Sequence, residues 1–359
     1  MAVMEAIIDT HTRVEDVREQ LDKVRHALDN TDAVLGVADN GLVLAEEVIE
    51  EARRVMPVVI AVTVALTATA AAIYFLRKRS HDQREATSAL VRRRWRDDHD
   101  IFIKQRPGAT SESYRYEAAC LNWLRHAQEE FDGCPVPWVR DVGTDRLTLD
   151  FVATVPPSQQ AARTFGTQLA HTHQSGADAF GQLPPGSARA FIADVPLPEG
   201  MWETFGSFYA QARVRPLADQ ARGCGAVTSA EYAVLAELAE VLETEDSRLI
   251  GPAEPIARLH GDLWSGNVLW RRRDCVLIDP SAHGGHRESD LAMLALFGLP
   301  HFDDVLEAYH HEWPLDPNYV SRVPLHQVYP LLVHAILFGG SYGAGAANAA
   351  RRALATVSS

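Results

Sequence analysis

A chain of 359 residues, 47% hydrophobic and 23% charged, has material for one two-lobed domain plus an appendage, or for two to three domains. That composition excludes collagen, wholesale disorder and a polytopic membrane protein. Lys and Arg total 34 against 48 Asp and Glu, a formal charge of −14 and the wrong sign for a surface that neutralises nucleic-acid phosphates. The four cysteines, Cys120, Cys134, Cys224 and Cys275, form no CxxC pair, so neither a zinc site nor a disulfide framework follows and a reducing compartment is expected.

The N-terminal region carries a heptad: Val14, Leu21, Leu28, Leu35, Leu42, Ile49 and Met56 recur every seven residues, with a second apolar seam between them. This pattern predicts a helical, coiled-coil-like stalk over 1–54, with a break near Asn40-Gly41, suited to self-association through 14–56; an amphipathic helix with no partner is the alternative. Val55 to Leu76 holds no charge and spans roughly 30 Å as a helix, enough to cross a bilayer, although a buried helix of a globular domain has the same signature. Acidic residues precede it and Arg77, Lys78, Arg79, Arg84 and Arg92–Arg94 follow, which by the positive-inside rule puts the C-terminal side in the cytoplasm. The expectation is therefore a transmembrane helix over 55–76, a basic juxtamembrane segment over 77–99, and a single-pass membrane protein, with a cytoplasmic protein as the alternative.

From Ile101 the pattern becomes that of a compact α+β domain. Ile101-Phe102-Ile103-Lys104 reads as a strand ending in a lysine. A helix from about Thr110 follows, and Glu117 falls on its apolar stripe with Tyr114, Leu121 and Leu124. A carboxylate on a buried face is costly unless paired, and Lys104 is the obvious partner. Kinases use such a strand-lysine/helix-glutamate pair on the α- and β-phosphates of a nucleotide.

Further on comes His260-Gly261-Asp262-Leu263-Trp264-Ser265-Gly266-Asn267, then two β-type runs, 268–270 and 276–278, and Asp279. A hairpin centred on Arg273 would set Asn267 opposite Asp279, within roughly 5 Å across the ladder. Asn267 and Asp279 then offer oxygen ligands to Mg²⁺, and Asp262 is left to orient a hydroxyl nucleophile. A hairpin with capping Asx side chains is the plainer alternative.

The run His260–Asn267, then Ile278-Asp279-Pro280 and Gly284–Met293, resembles the fructosamine kinase (ketosamine-3-kinase) family, as do Phe165-Gly166, Phe180-Gly181, Arg213 with Pro216, and the late Pro324–Tyr342 stretch. The resemblance covers roughly 100–345. It implies a protein-kinase-like two-lobed fold, with an N-lobe over 100–155, a mainly helical C-lobe over 156–345 and a tail over 346–359. It also implies ATP and Mg²⁺ as cofactors and a sugar hydroxyl of a ketosamine, free or protein-bound, as acceptor, a deglycation repair activity. Asp262 is the expected catalytic residue. Asn267 and Asp279 are the expected metal ligands, Lys104 is expected to bind phosphate oxygens of the nucleotide with Glu117 anchoring it, and Asp150 lies where the interlobe hinge begins and the adenine is expected to stack. Trp264 is a candidate for the sugar pocket, and His260 and Asp290 for structural support of the loop.

The N-terminal side departs from the family. No glycine occurs between Gly41 and Gly108, where relatives carry a glycine-bearing loop over the phosphates. This leaves open a weak or inactive kinase-like binding module, and an aminoglycoside or other amine-sugar kinase would use the same catalytic residues.

Overall fold

The computed structural model describes residues 100–106, 108–193 and 195–358. The heptad, the apolar run 55–76 and the arginines at 92–96 lie outside the described residues. Among those described, no helix is long and apolar enough to cross a membrane. Even the 20-residue apolar helix Tyr319–Phe338 buries Arg322, His326 and Gln327. That finding runs against the expected single-pass membrane assignment, whose span 55–76 lies outside the described residues.

The small lobe opens with β1 (Ile101–Lys104), followed by α1 (Ser111–Phe131), β2 (Val139–Val142) and β3 (Leu147–Asp150). The three strands form an antiparallel sheet in the order β1-β3-β2, with Lys104 opposite Leu147 and Ile101 opposite Asp150. Thr110 starts α1 by accepting a hydrogen bond from the Ser113 amide, and Asp132 ends it in the left-handed conformation, which answers the unpaired terminal groups that every helix has. Tyr114, Leu121 and Leu124 are buried on its apolar stripe. Tyr116 Oη donates to the Ala282 carbonyl at 3.2 Å and Cys120 Sγ accepts from the Ala282 amide, so α1 is tied to the large lobe as well as to its own sheet.

After β3 the chain runs extended to α2 (Gln159–Gln174), and Val155 N donates to Trp270 O on the way. The hairpin β4 (Ala190–Ile192)–β5 (Val195–Leu197) comes next, then α3 (Phe205–Tyr209), a π turn over Ala210–Val214, α4 (Arg215–Gly223), α5 (Ser229–Leu242) and α6 (Ser247–Ile250). The segment that carries the candidate site residues follows: β6 (Ala257–Leu259), a 3₁₀ turn over Ser265–Asn267, β7 (Val268–Trp270), β8 (Cys275–Leu277) and β9 (His283–Gly285). Helices α7 (Glu288–Phe297), α8 (Phe302–Glu312), α9 (Tyr319–Phe338) and α10 (Tyr342–Ser358) complete the lobe.

Close packing of α2 on α8 depends on Gly166, where an added Cβ would lie 2.1 Å from the Val305 carbonyl oxygen. The expected boundary at 345 falls inside α10, whose Ala346, Ala349, Ala350 and Ala353 are part of the core. The small residues let this last helix seat closely rather than fray.

Candidate active site

The site assembles where β1, α1 and the β6–β9 segment meet. Lys104 Nζ, at the end of β1, donates to both carboxylate oxygens of Glu117 at 2.8 Å, and the two side chains are largely buried. The same ammonium lies 2.8 Å from Asp279 Oδ1. Burial works against the Lys104 charge, but Asp279 and Glu117 together outweigh it and hold its pKa above the ordinary lysine value.

The loop His260–Asn267 hangs from Asp290 at the start of α7. Its Oδ2 accepts from the His260 amide at 2.8 Å and its Oδ1 from the Gly261 amide at 3.0 Å. Oδ2 also faces His173 Nε2 at 3.2 Å, and His173 Nδ1 lies 2.8 Å from Tyr309 Oη. Burial would raise the Asp290 pKa, yet these hydrogen bonds and the nearby histidines hold it below the ordinary carboxylate value. Burial also lowers the His260 pKa, so its ring is neutral; Nε2 donates to Ile278 O at 3.0 Å and Nδ1 accepts from the Asp262 amide at 3.3 Å. His260 therefore braces the loop at both ends.

Asp262 projects from that loop into the cleft. Desolvation first, and the Asp279 charge second, push its pKa up to about 7, while the hydrogen bond from Asn267 pulls the other way. Asn267 Nδ2 donates to the Asp262 carbonyl at 2.7 Å and to Asp262 Oδ2 at 3.1 Å. With the amide nitrogen fixed on Asp262, Asn267 Oδ1 is the atom left to face a cation.

The hairpin register differs from the expected one. Val268 pairs with Leu277 and Trp270 with Cys275, and Ile278 N donates to Asn267 O, so Asn267 stands opposite Ile278. The cause is the turn over Arg271–Asp274, closed by Arg271 N to Asp274 O at 2.8 Å and by an ion pair between the same two side chains. A one-residue shift would put Asp279 on the wrong face of a regular strand. Its left-handed backbone, φ 56°, breaks the strand at that residue instead.

Lys104, Glu117, Asp262 and Asp279 line one cleft of about 90 Å³. Sequence reasoning missed its remaining walls, which include Arg106, Ser113, Tyr116, Phe191 and Ser281. Ser113 was within reach, since it sits one turn before Glu117 on the same helical face, and Tyr116 follows Ser113 at i+3. Phe191 had no local signal: it arrives on the β4–β5 hairpin, held by Ser281 Oγ donating to its carbonyl at 2.7 Å and by an edge-on contact with Tyr116. Asp150 and Trp264 are not in this lining. The Asp150 carboxylate is bound by Arg140 of β2, Nη2 to Oδ2 at 2.9 Å. Trp264 lies over Gly266 and meets Phe297 edge-on, with ring centroids 6.3 Å apart.

A second group of potential ligands, His286, Glu288 and His326, is buried nearby, but both Glu288 oxygens are held by Arg322 at 2.9 and 2.5 Å. It is an ion-pair network in which a cation would have to displace a guanidinium.

The sequence model of the family described as fructosamine kinase matches residues 68–356. The chain belongs to the fructosamine kinase family. It is 32% identical over 266 residues to a probable ketoamine kinase of Lactiplantibacillus plantarum, covering 68% of this chain and 83% of the relative. It is 30% identical over 250 residues to the probable ketoamine kinase YniA of Escherichia coli, covering 68% and 82%. Among solved structures, a "putative fructosamine-3-kinase" from Thermobifida fusca superposes with a TM-score of 0.65 at 40% identity, covering 72% of this chain and 86% of that one.

As a fructosamine kinase family member the chain is a phosphotransferase with a protein-kinase-like fold, and the family implies ATP as donor. The match begins at residue 68, inside the apolar run 55–76. The latter part of that run therefore belongs to family sequence, which further weakens its reading as a membrane span.

Proposed function

We propose that this enzyme transfers the γ-phosphoryl group of ATP to a sugar hydroxyl of a ketosamine, a fructosamine or ribulosamine carried on a glycated amine, and so serves deglycation repair. The observation that carries the reading is the convergence of Lys104, Glu117, Asp262 and Asp279 in one cleft of a chain of this family, with Asn267 fixed on Asp262. In this reading Asp262 accepts the hydroxyl proton as the sugar oxygen bonds to the γ-phosphorus, and the bond to the β–γ bridging oxygen breaks to release ADP. A carboxyl with a pKa near the working pH suits that exchange. Lys104 neutralises phosphate oxygens, and Glu117 keeps its ammonium aimed at them.

Mg²⁺ fits the donor set. Asn267 Oδ1 and the Asp279 carboxylate are hard oxygen ligands, and Asp279 acting on Asp262 leaves an acidic cleft that a divalent cation would relieve. When bound, the ion would neutralise charge on the phosphates.

The reading is tested by following ³¹P transfer from ATP to fructosyl-lysine and ribulosyl-lysine in the presence of Mg²⁺. Formation of a sugar phosphate that vanishes in Asp262→Asn is the expected result. Nucleotide binding with no transfer to either acceptor would overturn it.

A further inference from the structure

Helix α1 has two working faces. Ser113, Tyr116 and Glu117 face the catalytic cleft. Arg115, Ala119, Asn122 and His126, spaced four, three and four apart, form a second stripe that looks the other way. That stripe borders a separate cavity of about 590 Å³, floored by Trp123 and Arg258 and edged by Val142 and Pro185. Its volume lies in the range of small-molecule sites, against about 90 Å³ for the catalytic cleft.

The charge of this cavity is opposite to that of the chain. Among the described residues its lining contains two arginines, a histidine and an asparagine and no carboxylate, in a protein of net charge −14. Arg258 is 7% exposed. Its guanidinium is held by three backbone carbonyls, those of Gly176, Trp123 and Ser175 at 3.2, 3.0 and 3.3 Å, and lies over the Trp123 ring at 4.5 Å. Burial with no acidic partner lowers its pKa to about 10. A buried cation balanced only by carbonyl dipoles gains most from an anion brought to it. Arg115, exposed on the outer stripe, supplies a second guanidinium from the rim.

We propose that this cavity is a binding site for a small organic oxyanion, a phosphate monoester or carboxylate on a ring-shaped or apolar body, with Arg115 and Arg258 engaging the anion and Ala118, Ala119, Val142 and Pro185 receiving the body. The site is separate from the catalytic cleft, on the opposite face of α1.

Calorimetric titration of phenyl phosphate into the full chain tests it, run well below each variant's unfolding temperature. One equivalent should bind to the wild type, at least tenfold more weakly to Arg115→Glu, and within about twofold of wild type to the cleft variant Lys104→Met. Ala119→Trp, which fills the cavity, should abolish the heat of binding; should that variant unfold, Arg115→Glu decides alone. Absence of binding to the wild type, binding unaffected by Arg115→Glu, or binding lost only in Lys104→Met would each overturn the proposal.

Discussion

Lys104 Nζ bridges the two lobes by its 2.8 Å contact with Asp279 Oδ1, made while both Glu117 oxygens hold the same ammonium. A lysine at the end of the small sheet is thereby fixed on the residue expected to ligate metal. The arrangement keeps three charged side chains in register without a ligand, and a triphosphate entering the cleft would take over the Lys104–Asp279 contact rather than build a site anew. Preorganisation of this kind lowers the ordering cost of binding.

Removing the ammonium should separate stability from binding. Lys104→Met leaves Glu117 buried without its cation, and breaking a buried pair costs about 3–5 kcal/mol. The double variant Lys104→Met/Glu117→Leu should recover most of that loss in thermal unfolding. Neither variant should regain nucleotide affinity, which falls by roughly 10- to 100-fold if one charge-assisted bond of about 1.5–3 kcal/mol is lost. Recovery of affinity in the double variant would remove Lys104 from the phosphate site.

The two aspartates should fail in different ways. Asp262→Asn keeps the shape of the loop and should cut the transfer rate by at least about a hundredfold, the lower end for losing a general base, with the nucleotide dissociation constant within a few-fold of wild type. Asp279→Asn removes a metal oxygen and the Lys104 contact, so Mg²⁺-nucleotide binding itself should weaken. Paired titrations and rate measurements check this; a rate unchanged in Asp262→Asn would exclude it as the proton acceptor.

Local chemistry made much of this site legible. Burial of Glu117 on an apolar stripe demands a cation, and the strand lysine before it supplies one. The Asp262–Asn267 hydrogen bond follows from a short loop whose ends are both pinned. The hairpin register was one residue off because the ion pair Arg271–Asp274 closes a four-residue turn, a tertiary detail that alternation does not encode. Phe191 was out of reach for a related reason: the β4–β5 hairpin is far from the catalytic loop in sequence and reaches the cleft through Ser281. The apolar run 55–76 marks the limit of hydropathy, which records absence of charge and not the surroundings.

The rate should depend on pH through Asp262. Its pKa is raised to about 7, so the unprotonated base is lost as pH falls through 7, and kcat/KM should drop tenfold per unit below that. The same shift has a stability consequence of opposite sense. A carboxyl whose folded pKa lies above its unfolded value of 3.8 costs stability as pH rises from about 4 to 7, because the fold resists its ionisation. Asp262→Asn should therefore gain stability over wild type across that window, with the gain level above about pH 7. A flat kcat/KM profile between pH 5 and 8, or no pH dependence in the stability difference, would contradict the assignment.

Gly261 and Gly298 provide a matched pair for asking how much the catalytic loop depends on its backbone. Both have positive φ, 79° and 73°. A Cβ at Gly298 would meet nothing within 4 Å, whereas one at Gly261 would lie 2.1 Å from the Ser281 carbonyl oxygen and 2.9 Å from His283 Nδ1. Gly298→Ala thus carries only the backbone cost of an L-residue at φ 73°, ψ 144°, about 1–3 kcal/mol, or a few degrees in Tm for a domain of this size. Gly261→Ala carries the same cost plus the displacement of Ser281, whose amide donates to His260 O and whose hydroxyl holds Phe191. It also disturbs the Gly261 amide bonded to Asp290. The expected outcome is a Tm loss at least twice that of Gly298→Ala, together with loss of transfer, while Gly298→Ala keeps its rate. Equal Tm shifts with transfer retained in both variants would show that the loop tolerates displacement and that Asp290 and Ser281 do not set the position of Asp262.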